Sequence, residues 1–516
     1  AHASAAAGAE ADALAAQARI ALKAAADRAV ALGAHDQAVA FLEQALTVTA
    51  DPSEKGEILE RASESASAAA RFESADEFAK RAVDLYRQLG NRPDIARATA
   101  KLGSARLWGS QTNAAVEVLE PAAAEFDDLW PKPEVVDLNG YLAAAYLFTD
   151  RVSDCLAVAD RVLEIAEHQD LTEVLAQTLL TKGAALASLG RVREGTGAIR
   201  VGEDLAREAG LTTLQLRGIL QRTYWELEAD TVRALEGMRE GLALARRVGD
   251  RRATLRLTNN VGFSEFIVGQ WDEGLSTLEE PLREDVEWTT RAAITGNALV
   301  IRAFRGEPVT SELAELERLL GDTPDPNIVV NLLDAQGSQA FASGRLTEAR
   351  SIWHRMISID SGAGPAYYYQ TARAALWDRD PEGARMDLAS LDATGVHGRV
   401  IETRRATIRA GLAALEGHTA ESVAGYREAI RAWHDLGLAN DEAFSALDMA
   451  ILLGPSVPEV GPPAASAREF FLRVGGRPFL ERLDAAMGGA PVAEPAAEPA
   501  GEPRPIPVAK DVSATS

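Results

Sequence analysis

The sequence predicts an all-α protein, an α-α superhelix of about eleven to twelve stacked helical hairpins. Three observations carry this. Hydrophobic residues make up 47% of the chain but aromatics only 6%, the excess being mostly alanine, the best helix former. A Gly or polar turn followed by a helix with a small residue in its first turn recurs along the chain. Strand signals, meaning β-branched alternation with Asn-Gly turns, are nearly absent.

The repeat reads as one column of residues: Ala38, Ala75, Ala115, Cys155, Gly195, Ala234, Gly274, Leu313, Ala349, Ala384 and Ser422. Ten of these eleven are small, and successive members lie 35 to 40 residues apart. A companion column seven positions later runs Ala45, Ala82, Ala122, Val162, Gly202, Gly241, Pro281, Leu320, Met356, Leu391 and Ala429. Between them sit apolar residues such as Phe41–Leu42, Val118–Leu119, Ile352–Trp353 and Tyr426. Positions i, i+3 or i+4 and i+7 share one helix face. A small side chain at i lets a partner backbone come close, and its bulky neighbours fill the adjoining groove. A coiled coil would show sustained heptads without these turns, and a conventional bundle would not hold one register over eleven copies.

The elements follow in order. Residues 1–9 form a frayed Ala-rich start, and residues 10–453 carry the helical repeats. Residues 454–463, with Pro455, Pro458, Pro462 and Pro463, read as a stiff linker. Residues 464–487 read as a capping helix pair around Gly475–Gly476. Residues 488–516, rich in Pro, Ala and Glu, lack the apolar surface to fold and are expected to be disordered. Pro121 and Pro281 fall inside second helices, where an interior proline costs about 3 kcal/mol, so a kink or an early end is expected there.

The formal net charge is −24, from 53 basic and 77 acidic residues, which argues against nucleic-acid and acidic-membrane surfaces. The single cysteine, Cys155, excludes an intrachain disulfide framework and fits a reducing, cytoplasmic setting. No stretch approaches the roughly 18 apolar residues of a spanning helix. The chain begins at Ala1 without an initiator Met, and the expectation is that it is a piece of something longer.

Two stretches resemble a known family. One is Ala24–Ala38, with Asp27, Arg28, Ala29, Leu32, Gly33, Ala34 and His35. The other is Ala467–Leu483, with Arg468, Glu469, Phe470, Gly476, Arg477, Pro478, Phe479, Leu480, Glu481 and Arg482. The turn-plus-small-residue unit is similar to the tetratricopeptide class, in a longer and divergent form. The two end motifs resemble the C-terminal helical repeats of bacterial signalling proteins, in which a class III adenylate/guanylate cyclase or a DNA-binding domain precedes an AAA-type ATPase module. The resemblance implies a bacterial regulatory scaffold whose catalytic parts lie upstream of Ala1. It carries over no catalytic residue.

The residues themselves offer no chemistry. No G-x-x-x-x-G-K-[ST] phosphate loop, G-x-G-x-x-G turn after a strand, or H-E-x-x-H is present. The histidines are scattered, with His35 and His418 each following the glycine of a repeat turn. Cys155 sits in the small-residue column and reads as a packed thiol. The expectation is therefore no enzyme, no cofactor and no metal site in this segment. Aromatic clusters are the one candidate for recognition: Tyr367, Tyr368 and Tyr369 open a first helix, and Tyr224–Trp225 and Trp433–His434 are weaker versions. Three successive helix positions span roughly 300° and cannot all face one core. They read either as anchors on a concave surface or as fillers of gaps left by alanine. The leading expectation is a scaffold that holds a peptide, a partner protein or upstream domains of its own chain. The alternative is a small-molecule-sensing repeat domain of a transcriptional regulator, with a pocket near Pro281 or the tyrosine triplet.

Overall fold

A computed structural model describes residues 2–284, 286–320 and 326–488, with side chains described from residue 13 onward except at 285, 321–327 and 361. Among the described residues there are 25 α-helices, three short 3-10 helices and no strand. None of these helices is long and apolar enough to cross a membrane. The chain divides into two compact units, Ala1–Arg222 with Arg247–Asp250, and Thr223–Arg246 with Arg251–Ser516.

The first unit runs α1 (His2–Ala31), α2 (His35–Thr47), α3 (Pro52–Ala68), α4 (Phe72–Leu89), α5 (Arg92–Trp108), α6 (Thr112–Glu125), α7 (Pro133–Leu147), α8 (Val152–His168), α9 (Thr172–Ser188), α10 (Val192–Glu208) and most of α11 (Thr212–Glu226). The second runs α12 (Thr231–Val248), α13 (Arg251–Ile267), α14 (Trp271–Leu282), α15 (Trp288–Phe304), α16 (Thr310–Leu320), α17 (Pro326–Ala342), α18 (Leu346–Ile359), α19 (Gly364–Trp377), α20 (Pro381–Ala393), α21 (Arg399–Leu415), α22 (Thr419–Asp435), α23 (Ala439–Leu453), α24 (Gly461–Val474) and α25 (Arg477–Ala486). Each odd-numbered helix from α1 to α9, and from α13 to α21, packs against its successor.

All eleven members of the small-residue column are buried. What nine of them meet is a second small column, twelve residues earlier on the first helix of the same hairpin. It contains Ala26, Ser63, Gly103, Ala143, Gly183, Gly262, Gly337, Ala372 and Ala410. A Cβ placed on Gly183 would stand 2.6 Å from the Gly195 carbonyl oxygen, and one on Gly274 would stand 2.6 Å from that of Gly262. In α3 the contact is a hydrogen bond instead, donated by the Ser63 hydroxyl to the Ala75 carbonyl at 2.9 Å. Backbone thus packs on backbone, and bulkier neighbours such as Leu119, Ile199 and Leu278 fill the flanks.

The turns inside the hairpins are as regular. Five residues before the small position stands a left-handed residue: Gly33, Ala70, Ser110, Asp150, Gly190, Gly269, Gly344, Arg379 or Gly417. Around Gly190, the Arg191 N–H reaches back to the Leu186 carbonyl at 3.0 Å and the Gly190 N–H to Ala187 at 2.9 Å, closing the helix end. Ala70, Ser110, Asp150 and Arg379 hold the same conformation against their own side chains.

Pro121 lies within α6, a helix of 14 residues, and Pro281 in the last turn of α14, which ends after 12 residues. Many neighbouring helices run to 17 residues, as α8 and α10 do. The Pro-rich segment is shorter as a linker than the sequence suggests. Pro458–Val460 forms a 3-10 turn and α24 already begins at Gly461, because Pro462 and Pro463 occupy its first turn, where a missing N–H costs nothing. The expected disordered tail lies, from residue 489 on, outside the described residues.

In the second unit the inner ends of the first helices bear aromatics that converge. Phe266, Phe304, Phe341 and Trp377 come from α13, α15, α17 and α19, and Phe341 stacks on Trp377 at 4.7 Å. The last three helices fill this cluster. Phe479 of α25 lies 4.7 Å from Phe444 of α23 and 5.1 Å from Phe304, and Phe470 of α24 meets Trp271 edge-on at 6.1 Å. Arg404 pairs with Glu228, and Gly437 touches Val232, so early and late segments of this unit meet.

Candidate partner-binding groove

In the first unit the corresponding face of the first helices is polar. Helices α5, α7, α9 and α11 place Arg97, Asp137, Gln177 and Arg217 at one repeat position, 40 residues apart, and Lys101, Tyr141, Thr181 and Gln221 one turn further on. Four residues are one helical turn, so the two columns run side by side.

One end of this strip is satisfied. Arg97 is bonded by Glu60 at 2.8 Å and Asp94 at 2.7 Å. Lys101 pairs with Glu64 at 2.9 Å. Burial works against the Lys101 charge, yet Tyr141, Glu64 and Asp137 together hold its affinity for the proton above the ordinary lysine value. Asp137 has no such support. Burial pushes its carboxyl up to about 6; Lys101 opposes the shift, and Glu173 and Glu64 add to it. Burial also raises the Tyr141 phenol, helped by the nearby Asp137 carboxylate.

The other end is not satisfied. Arg217 occupies the same repeat position as Arg97 but has no carboxylate partner among the described residues. Its one hydrogen bond goes to the Thr181 hydroxyl at 3.1 Å. Its guanidinium reaches past two intervening hairpins to the ring of Trp108 on α5, 4.6 Å from the centroid, and Trp108 in turn meets Phe148 edge-on at 6.0 Å. A contact from α11 to α5 requires the helices between them to curl, which brings these side chains together on the inner side of the curl. Burial pulls the Arg217 pKa down to about 10, with only Tyr141 opposing. The buried Arg217 Nε, Gln177 Nε2 and Gln221 Oε1 all lack hydrogen-bond partners. Such groups ordinarily cost about 1–3 kcal/mol each. Three orphans in two adjacent columns form a cluster, two donors and an acceptor, on one surface.

The residues singled out from sequence lie elsewhere. Tyr224 is 58% exposed and meets Trp225 edge-on at 5.1 Å. The tyrosine triplet splits as its helical spacing requires: Tyr367 and Tyr368 are half-buried and Tyr369 is 1% exposed. Trp433 is wholly buried and donates its indole N–H to Thr407 at 3.3 Å. Tyr369 and Trp433 come together in the core, with ring centroids 6.1 Å apart, so as partner contacts these two are corrected to core residues. Sequence reasoning missed Lys101, Asp137, Tyr141, Gln177, Arg217 and Gln221. The signal was present, as polar residues recurring every 40 positions on helices otherwise built of Ala and Leu. Cys155 is buried at its column position, and burial pushes its thiol up to about 12.

No protein-family model matches the chain, and no curated protein matches it in sequence. Two solved structures are similar in fold at low superposition scores. One is a Rap protein complexed with competence and sporulation factor, at TM-score 0.43 and 11% identity, covering 76% of this chain and all of that one. The other is the APC/C hetero-tetramer Cut9-Hcn1, at TM-score 0.41 and 10% identity, covering 92% of this chain and 94% of that one. The chain's own helices make each unit an all-α array of helical hairpins.

Proposed function

We propose that the chain is a non-catalytic scaffold whose first unit binds a peptide or protein segment along the strip of α5, α7, α9 and α11. The observation that supports this is the set of unpartnered buried groups on Gln177, Arg217 and Gln221, aligned by the repeat. Folded chains seldom leave buried donors and acceptors unpaired unless something else pairs with them. A repeat array presents one such position per hairpin, which suits an extended ligand. The test is selection of binders from a random displayed-peptide library on the full chain, followed by Gln177→Ala and Gln221→Ala. Enriched peptides should bind at least about tenfold more weakly to the double variant, matching the loss of one or two buried hydrogen bonds. Absence of enrichment, or binding that ignores both substitutions, contradicts the reading.

The end motifs at Ala24–Ala38 and Ala467–Leu483 support a finer placement, as the repeat region of a bacterial signalling protein with ATPase or nucleotide-cyclase domains upstream. The reading frame upstream of Ala1 decides it: a phosphate loop or cyclase domain there is the expected finding, and an unrelated sequence contradicts it.

A further inference from the structure

Beyond the presence of a groove, its charges specify what enters it. We propose that the groove of the first unit takes an acidic peptide segment, one carboxylate of which pairs with Arg217 against the face of Trp108 while the peptide backbone pairs with Gln177 and Gln221. This rests on the reading of that strip as a binding surface.

The argument begins with the mismatch at Arg217. A guanidinium carries five N–H donors in a planar fork, and Arg217 uses one of them, on Thr181. Its plane is already held by Trp108 at 4.6 Å, so the fork is preorganised and little side-chain entropy remains to be lost on binding. A carboxylate is the planar partner that matches this edge with two parallel hydrogen bonds. Among the described residues no carboxylate pairs with it, although the chain carries 77 acidic residues. Ion pairs at other arginines of the first unit show how readily acids are recruited: Arg97 with Glu60 and Asp94, Arg106 with Asp76, Arg151 with Glu120 and Asp154.

The surroundings narrow the choice of anion. Asp137 and Glu173 of the strip, with Glu64 of the adjoining α3, act on Tyr141, Lys101 or each other, and they penalise a dianion about twice as heavily as a monoanion. A peptide carboxylate therefore fits better than a phosphate. The orphan donor on Gln177, which is 7% exposed, and the orphan acceptor on Gln221 are what a backbone C=O and N–H require. Acid at one side chain and unpaired main chain beside it describe an extended segment, not a docked helix, whose backbone groups are already used.

Two displayed libraries of about twelve-residue peptides test the proposal on the full chain. One is unrestricted; the other lacks Asp and Glu and ends in an amide. Enrichment from the first library alone is expected. The selected peptides should lose at least tenfold in affinity with Arg217→Met, recover part of it with Arg217→Lys, and weaken as salt rises. The melting temperature of Arg217→Met should not fall below that of the parent, which separates lost recognition from lost folding. Equal enrichment from both libraries, or acidic peptides indifferent to Arg217→Met, overturns the proposal and leaves the groove standing if Gln177→Ala still weakens them. Enrichment from neither library overturns the groove reading itself.

Discussion

Two arginines compare the two units of the molecule. Arg373 in the second unit is 2% exposed, and burial opposes its charge. Asp448 answers with contacts at 3.1 and 3.2 Å to Nε, Tyr369 lies under the guanidinium at 4.4 Å, and Gln370 accepts a further bond at 3.1 Å. The outcome is an arginine whose pKa is raised above the ordinary value. Arg217 in the first unit is half-buried with its Nε enclosed, finds one hydroxyl, and has its pKa lowered by burial to about 10. The same repeat architecture has therefore given one buried arginine an acid of its own and left the other without one among the described residues. In the second unit the completing parts are α23, which brings Asp448 and Phe444, and the terminal pair α24 and α25, which bring Phe471 and Phe479. The lesson is that repeat geometry alone does not define a binding face; its state of satisfaction does.

The largest effect expected on this comparison comes from removing the filling side chain. Phe479→Ala should cost about 3–5 kcal/mol, as buried Phe-to-Ala changes do. Hydrogen exchange should report the loss in α13, α15 and α23 and leave the amides of α3 to α9 unaltered. Uniform deprotection of both units would show that the filled face is no local device.

Within the first unit, Gly195 and Gly197 share one helix and should respond with opposite signs. Gly195→Ala forces a Cβ onto the Gly183 carbonyl and should destabilise by about 1–3 kcal/mol. Gly197→Ala has open space around it and should stabilise by up to about 1 kcal/mol through helix propensity. Thermal unfolding of the two variants checks the backbone-to-backbone contact; a loss of equal size at both sites would break it.

Asp137 sharpens the comparison through pH. Its folded-state pKa, about 6, lies above the ordinary 3.8, so the folded chain holds the proton more readily than the unfolded one. Stability from this group is greatest below pH 4 and falls as pH rises through 6. Asp137→Asn should therefore raise the melting temperature at pH 7.5, and the gain should vanish near pH 3.5. A gain independent of pH would mean the carboxylate is not strained by burial. The smallest effect is in the turns: Ala70→Gly in the first unit and Arg379→Gly in the second should each add about 1 kcal/mol by relieving a left-handed residue with a side chain.

Much of the fold was legible from sequence because it depends on local rules. A left-handed turn residue, a small residue five positions later and apolar residues at helical spacing specify a hairpin without reference to distant chain. The second small column, at Gly103, Gly183, Gly262 and Gly337, is equally local, standing twelve residues before the first. The filling of the second unit was not legible. It depends on Phe479 meeting Phe304 and Asp448 meeting Arg373, contacts between residues 175 and 75 positions apart with no periodic signature. The candidate groove was half legible. The 40-residue recurrence of Arg97, Asp137, Gln177 and Arg217 is visible in the sequence, but that Arg97 is paired and Arg217 is not emerges only from the fold. Aromatic content misled for a physical reason: in an alanine-rich core the large rings Tyr369 and Trp433 are needed to fill space, so abundance of ring surface there marks packing before recognition.

The most direct test is a pair of melting curves at pH 7, for Arg217→Met and Arg373→Met. Loss of Arg373 strands the buried Asp448 carboxylate and should cost about 3–5 kcal/mol. Loss of Arg217 removes a half-buried cation that pairs with no acid among the described residues, and its melting temperature should equal or exceed that of the parent chain. If Arg217→Met falls as far as Arg373→Met, the guanidinium on α11 is serving the fold, and the first unit has no unfilled face for a partner.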